Sequence, residues 1–135
     1  MRGVAPDFLF VYGTLLRGQT APLSRALEQF GEFLGAATVE GELYSMGRYP
    51  GFGDSKTAGC AAVVRGELFR VTQIDLWRAF DAYEGPEYER AVRRATLVST
   101  GEVIEAWIYR YVGDLAERVR IESGDWRAFS QEQPR

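Results

Sequence analysis

Two stretches carry residues whose types and spacing suit chemistry. The first is VYGTLLRG, residues 11–18, where an apolar run stops on Tyr12, Gly13 and Thr14 and turns through Leu15 toward Arg17. A purely structural turn more often sets Asn, Asp or Pro beside its glycine. A glycine here lets the backbone approach a ligand closely, and successive N–H groups in such a bend cradle an anion or a carbonyl oxygen. Thr14 adds a hydroxyl and Tyr12 a phenol. The same residues also suit a tight strand-to-helix turn, and the glycine-lysine pair of a phosphate loop is missing. The second stretch is FDAYEGPEYER, residues 80–90. Glu84 falls at the C-terminal end of a predicted helix, where the last carbonyls disfavour a carboxylate. Its neighbours Tyr83, Pro86 and Tyr88 are bulky and largely apolar. Both effects raise a carboxyl pKa toward what a general base needs near neutrality. Taken alone, the position better suits a solvated glutamate at a helix end.

Composition narrows the chemistry. The chain has no histidine and one cysteine, which excludes Ser-His and Cys-His dyads within it, a histidine base and the common zinc sites. A transition-metal site is not expected, and proton transfer falls to Asp, Glu, Tyr or the single lysine, Lys56. Cys60 lies in the apolar run GCAAVV and reads as a small buried thiol rather than a nucleophile. With 16 basic and 19 acidic residues and a formal charge of -3, no basic face points to nucleic acid. No segment approaches the ~18 apolar residues of a membrane-spanning helix, and no signal peptide is visible, so a cytoplasmic location is the expectation.

The elements that must position these residues fit one domain over 1–135. FLFVY, residues 8–12, reads as a buried strand. Thr20 can cap a helix with Pro22 in its first turn, running to Gly31. Residues 33–46 look like strand with a bulge near Gly41, residues 47–59 a glycine-rich loop, and residues 60–71 another strand. Thr72 opens a capping-box pattern for a helix with Ile74, Trp77 and Phe80 on one face, stopped by Gly85 and Pro86. Residues 88–99 and 103–112 resume strand around a TGE turn, and the second of these carries large apolar groups on both faces. That suits a strand between a barrel interior and an outer layer. Trp126 and Phe129 are placed to pin the C-terminus. The fold class expected is α+β, a small, mostly antiparallel β-barrel with flanking helices.

Taken together, VYGTLLRG, LYSMGRYPG (43–51), FDAYEGPEYER, AWIYRYV (106–112) and SGDW (123–126) resemble the gamma-glutamylcyclotransferase-like family, in order and from Phe10 to Trp126. The match is nearest the small members, which include gamma-glutamylamine cyclotransferases. The resemblance implies that Tyr12, Gly13, Thr14 and Leu15 form the pocket for the gamma-glutamyl group. It implies that Glu84 is the catalytic glutamate, and that Tyr88 and Arg90 match the tyrosine and arginine after it. It further implies that Tyr49, Pro50 and Gly51 belong to the lid-side loop. Where many relatives have Leu-Asp before the glutamate, this chain has Phe80-Asp81.

The reaction so implied expels an amine from a small-molecule gamma-glutamyl substrate and leaves 5-oxoproline. The substrate's α-amine attacks its own γ-carbonyl, so no enzyme nucleophile, metal or cofactor is required. Glu84 would move the proton. The N–H groups of Gly13 to Leu15, with Thr14 and Tyr12, would hold the α-carboxylate or the oxyanion. Arg17, Arg90 and Arg110 are candidates for pairing with that carboxylate, and spacing selects none of them. The competing reading is a non-catalytic ligand-binding or interaction module on the same fold, and a third is removal of a gamma-glutamyl protecting group from a biosynthetic intermediate. Exposed aromatics on the last long strand would permit a homodimer beside a monomer.

Overall fold

The structure, a computed structural model, describes residues 7–13, 22–54, 62–115 and 118–132. Its elements are β1 (Phe8–Val11), α1 (Pro22–Phe30), β2 (Glu32–Glu40), β3 (Glu42–Ser45), β4 (Pro50–Gly53), β5 (Val63–Arg70), α2 (Ile74–Glu84), β6 (Tyr88–Leu97), β7 (Val103–Tyr111), β8 (Val119–Ile121) and α3 (Trp126–Glu132). Strands β1, β5, β2, β6 and β7 are hydrogen-bonded in that order, and β1 pairs again with β7 to close a five-stranded barrel. All pairings in it are antiparallel except the closing one, where Leu9 lies parallel beside Trp107. Closure removes the free edges that an open sheet of such apolar strands would expose.

Alternation along the strands sorts side chains into two cores. Phe10, Ala37, Val39, Leu68, Ala106 and Ile108 fill the barrel interior. Leu9, Val11, Phe69 and Tyr109 face outward and are covered by Leu27 of α1 and Leu76 and Phe80 of α2. Phe80 is fully buried and anchors α2; truncating such a phenylalanine to alanine costs about 3–5 kcal/mol. The two-faced character expected of β7 is therefore present. Of its aromatics, Tyr109 and Tyr111 are buried and Trp107 is half-buried.

The edge of β7 away from β6 is shared. It meets β1 at Trp107 and β4 at Arg110, again in parallel. Strand β4 continues through β3 to β8 as a flap outside the barrel. This flap corrects the expectation of a loop over 47–59: Pro50–Gly53 form a strand despite two glycines and a proline, because tertiary pairing to β3 and β7 overrides local propensity. The strand expected over 33–46 is two strands broken at Gly41, and its register irregularity falls between Phe33 and Gly35. Helix α2 is preceded by Gln73 at the cap position with no side-chain cap bond, not by a Thr72 capping box, and Ile74 is exposed rather than on the packed face. Thr20, Lys56 and Cys60 lie outside the described residues. Among the described residues no helix is long and apolar enough to cross a membrane.

Candidate functional site

Where β7 passes from β1 to β4, a backbone carbonyl and an amide would lack ladder partners. Tyr12, the residue after β1, fills this fork: its hydroxyl donates to the Tyr109 carbonyl at 2.5 Å and accepts from the Phe52 N–H at 3.0 Å. A buried amide or carbonyl left unpaired is costly, so this hydroxyl holds the fork together. Gly13 follows, packed so closely on β4 that a Cβ there would lie 2.6 Å from Pro50 Cγ. Only glycine allows the bend to sit in this place without displacing the proline.

A cavity of about 400 Å³ opens at this bend. Tyr12 and Gly13 form one wall and Arg48–Pro50 of the β3–β4 turn a second; the end of α2 with Glu84, and Tyr88 and Tyr109, complete it. Its size suits a small organic ligand. Gly85, at φ 78°, ends α2 and leaves Glu84 as the last helical residue, on the cavity wall. Burial raises the Glu84 carboxyl from 4.5 to about 7. Of the two causes expected from sequence, helix-end carbonyls and apolar surroundings, the second is the one at work.

The end of α2 is fixed by Asp81, one turn before Glu84. Asp81 Oδ1 accepts from the Tyr109 hydroxyl at 2.6 Å and faces Arg90 Nε at 3.0 Å. The Arg90 guanidinium in turn stacks over Trp77 and Trp107, 4.8 and 4.7 Å from the ring centroids. Arg90 is thus committed to holding the helix, and Arg110 pairs with Glu89 at 3.0 Å; neither lines the cavity. Arg17 lies outside the described residues, as do Thr14 and Leu15.

Of the residues singled out in the sequence, Tyr12, Gly13, Tyr49, Glu84 and Tyr88 meet at this one cavity. Gly51 does not: it is buried within β4, opposite Tyr44. Tyr12 stands on the wall, but its proton is engaged by the Tyr109 carbonyl, so it has none to donate to a carboxylate or oxyanion. Tyr88 donates to the Pro50 carbonyl at 2.8 Å and stands edge-on to Tyr49 and Tyr111. Sequence reasoning passed over Arg48, the one cation among the described lining residues, and Tyr109. The quoted motifs LYSMGRYPG and AWIYRYV contain both, yet nothing local distinguishes them from their neighbours. Among the described residues no group of three or more His, Cys, Asp or Glu is placed to hold a metal ion.

A family model described as gamma-glutamyl cyclotransferase, AIG2-like, matches residues 9–128. The chain belongs to this family. Among solved structures it is similar to protein PH0828 from Pyrococcus horikoshii, at 25% identity and TM-score 0.69 over 93% of each chain. It is similar to an AIG2-like protein from Mus musculus at 22% identity and TM-score 0.65, over 82% of this chain and 80% of that one. YkqA from Bacillus subtilis matches at 20% identity and TM-score 0.72, over 96% of this chain and 44% of that one. These likenesses support the fold. No curated protein matches the sequence. The family match covers the whole barrel and both motifs that carry the cavity.

Proposed function

We propose that this cyclotransferase-family chain releases 5-oxoproline from a gamma-glutamyl amine or amino acid, with Glu84 as general acid and base. The observation that carries the reading is a carboxyl raised to about 7 on the wall of a cavity it shares with the Gly13 bend. Near pH 7 such a group takes up and gives back a proton with little driving force either way. The ammonium of the substrate passes a proton to Glu84, and the freed amine adds to the γ-carbonyl carbon. The new C–N bond closes a five-membered ring and puts negative charge on the carbonyl oxygen. Collapse breaks the original C–N bond, and the leaving nitrogen departs as an ammonium carrying the two protons the ring nitrogen has lost. Folding the substrate into ring-closing geometry supplies several kcal/mol, within the roughly 7–11 kcal/mol available to well-placed intramolecular reactions.

The backbone N–H groups at the Gly13 bend are the donors for the oxyanion. Arg48 takes the place of the arginines considered from sequence: it lies on the cavity wall, on a turn closed by the Met46 N–H to the Tyr49 carbonyl at 2.8 Å. There it pairs with a substrate carboxylate. The test is 5-oxoproline release from a panel of gamma-glutamyl amines and amino acids, compared between wild type and Glu84→Gln. Release by the wild type and none by the variant supports the reading. Release by both removes Glu84 from the reaction, and release by neither favours the non-catalytic binding module.

A further inference from the structure

Glu87 lines the same cavity as Glu84, and the proposed reaction gives it no task. It follows Glu84 across Gly85 and Pro86, in the turn from α2 to β6. Its carbonyl accepts the Val112 N–H at 2.9 Å, which fixes its place on β7's last residues. The Tyr49 hydroxyl, from the β3–β4 turn, stands 3.5 Å from Glu87 Oε1. The cavity therefore has an inner end and a rim. Tyr12 and Gly13 are buried and Glu84 is half-buried, whereas Arg48, Tyr49, Tyr83 and Glu87 are exposed.

Exposure alone makes a glutamate ordinary surface; the balance of charge around the hollow sets Glu87 apart. The charged groups among the described lining residues are Arg48, Glu84 and Glu87. Among the described residues neither Arg48 nor Glu87 is in an ion pair. The Glu87 charge also reaches inward: after burial, Glu84 and Tyr49, it is among the causes that hold the Tyr88 phenol above its ordinary pKa. A bound gamma-glutamyl group matches two of the three charged residues, its carboxylate meeting Arg48 and its amine passing a proton to Glu84. Glu87 is left over. A leaving amino acid brings a second carboxylate, which finds no second cation on the described wall and faces Glu87 instead. A neutral alkylamine leaves Glu87 unmatched. A leaving amine with a second, protonated nitrogen supplies the missing opposite charge. Its methylenes would lie along the Tyr49 and Tyr83 rings, which themselves attract a cation.

We infer that Glu87 is a specificity-determining residue that receives a second, cationic nitrogen on the departing amine, so that the substrate class is the γ-glutamyl amide of a diamine. The inference rests on the proposed function for the placing of the gamma-glutamyl group inside and the leaving group at the rim.

The test compares three amides of similar length: those of γ-L-glutamate with 1,4-diaminobutane, pentylamine and 4-aminobutyrate, whose free ends are cationic, neutral and anionic. The readout is the ratio of their kcat/KM values for 5-oxoproline release at low ionic strength, so that any general loss in a variant cancels. In the wild type the diamine amide is expected to exceed the pentylamide about three- to fivefold, the scale of an exposed charge pair, and the aminobutyrate amide to fall below it by a similar factor. Glu87→Gln should bring the three together, Glu87→Lys should invert their order, and added salt should shrink the wild-type spread. Equal values in the wild type, or an order that survives both substitutions, overturns the assignment of Glu87. The pentylamide tests the reaction separately: its turnover without any charge order upholds the reaction and overturns the role of Glu87. If none of the three releases 5-oxoproline, the reaction fails, and calorimetric binding of the same amides decides on Glu87. An order in affinity that Glu87→Lys inverts then upholds the subsite; no order, or no binding, overturns it.

Discussion

Two glutamates are drawn out of water in this molecule, and the fold treats them differently. Glu67, on β5, is 5% exposed and faces the Arg127 guanidinium of α3 at 3.6 Å. Glu84, at the end of α2, is also largely withdrawn from solvent, yet it lines a cavity and burial raises its carboxyl to about 7. The first is held against a guanidinium within the fold, whereas the second, raised by desolvation at a cavity wall, is poised to exchange its proton near neutrality. Where each carboxyl faces, a neighbouring element or an open hollow, separates the structural glutamate from the reactive one.

The strongest way to break this comparison is to neutralise each in turn. Glu84→Gln should fold and lose roughly 10²–10⁴-fold in 5-oxoproline release, the usual contribution of a general acid–base group; Glu67→Gln should leave the rate unchanged. The pH profile sharpens the contrast. Wild-type kcat/KM should fall about tenfold per unit below the apparent pKa and level off above it, with that pKa near the Glu84 value of about 7. A midpoint near 4.5 would mean that the working carboxyl is not the buried one.

Stability gives smaller effects with opposite signs. The Glu84 pKa is raised on folding, so its contribution favours the fold below about 4.5 and is lost as pH rises through about 7. Glu84→Gln should therefore be more stable than wild type above pH 7, by roughly 1–3 kcal/mol, with the gap closing in acid, as read from urea midpoints. Glu67→Gln should be less stable by about 1–2 kcal/mol, since Arg127 loses its carboxylate but can turn toward water.

How much of this was legible in sequence differs by region. The barrel strands were readable because apolar residues run along both faces of β1 and β7, and Glu84 because Gly85 and Pro86 end a periodic helix just after it. Strand β4 was not readable: Pro50, Gly51 and Gly53 signal a loop locally, and only pairing with β3 and β7 makes them a strand. The Thr72 cap is absent because the helix starts one residue later than that pattern requires, with Gln73 at the cap position and no side-chain cap bond. Arg48 and Tyr109 escaped for a different reason. Their neighbours Tyr49 and Arg110 have the same character, and which of them meets the cavity is settled by the β3–β4 turn and by strand register, neither of which a local pattern encodes.

The β3–β4–β8 flap is fastened to the barrel by parallel pairing at Phe52, by the Tyr12 and Tyr88 hydroxyls and by Leu43, Phe52 and Ile121 buried in the common core, while the turn at its tip carries Arg48 and Tyr49 to the cavity. Anchor and tip are therefore separable. Transplanting only the 46–49 turn from a relative, with the buried strand residues kept, would re-tailor the entrance while the barrel, the helix end and the proton-handling glutamate stay as they are.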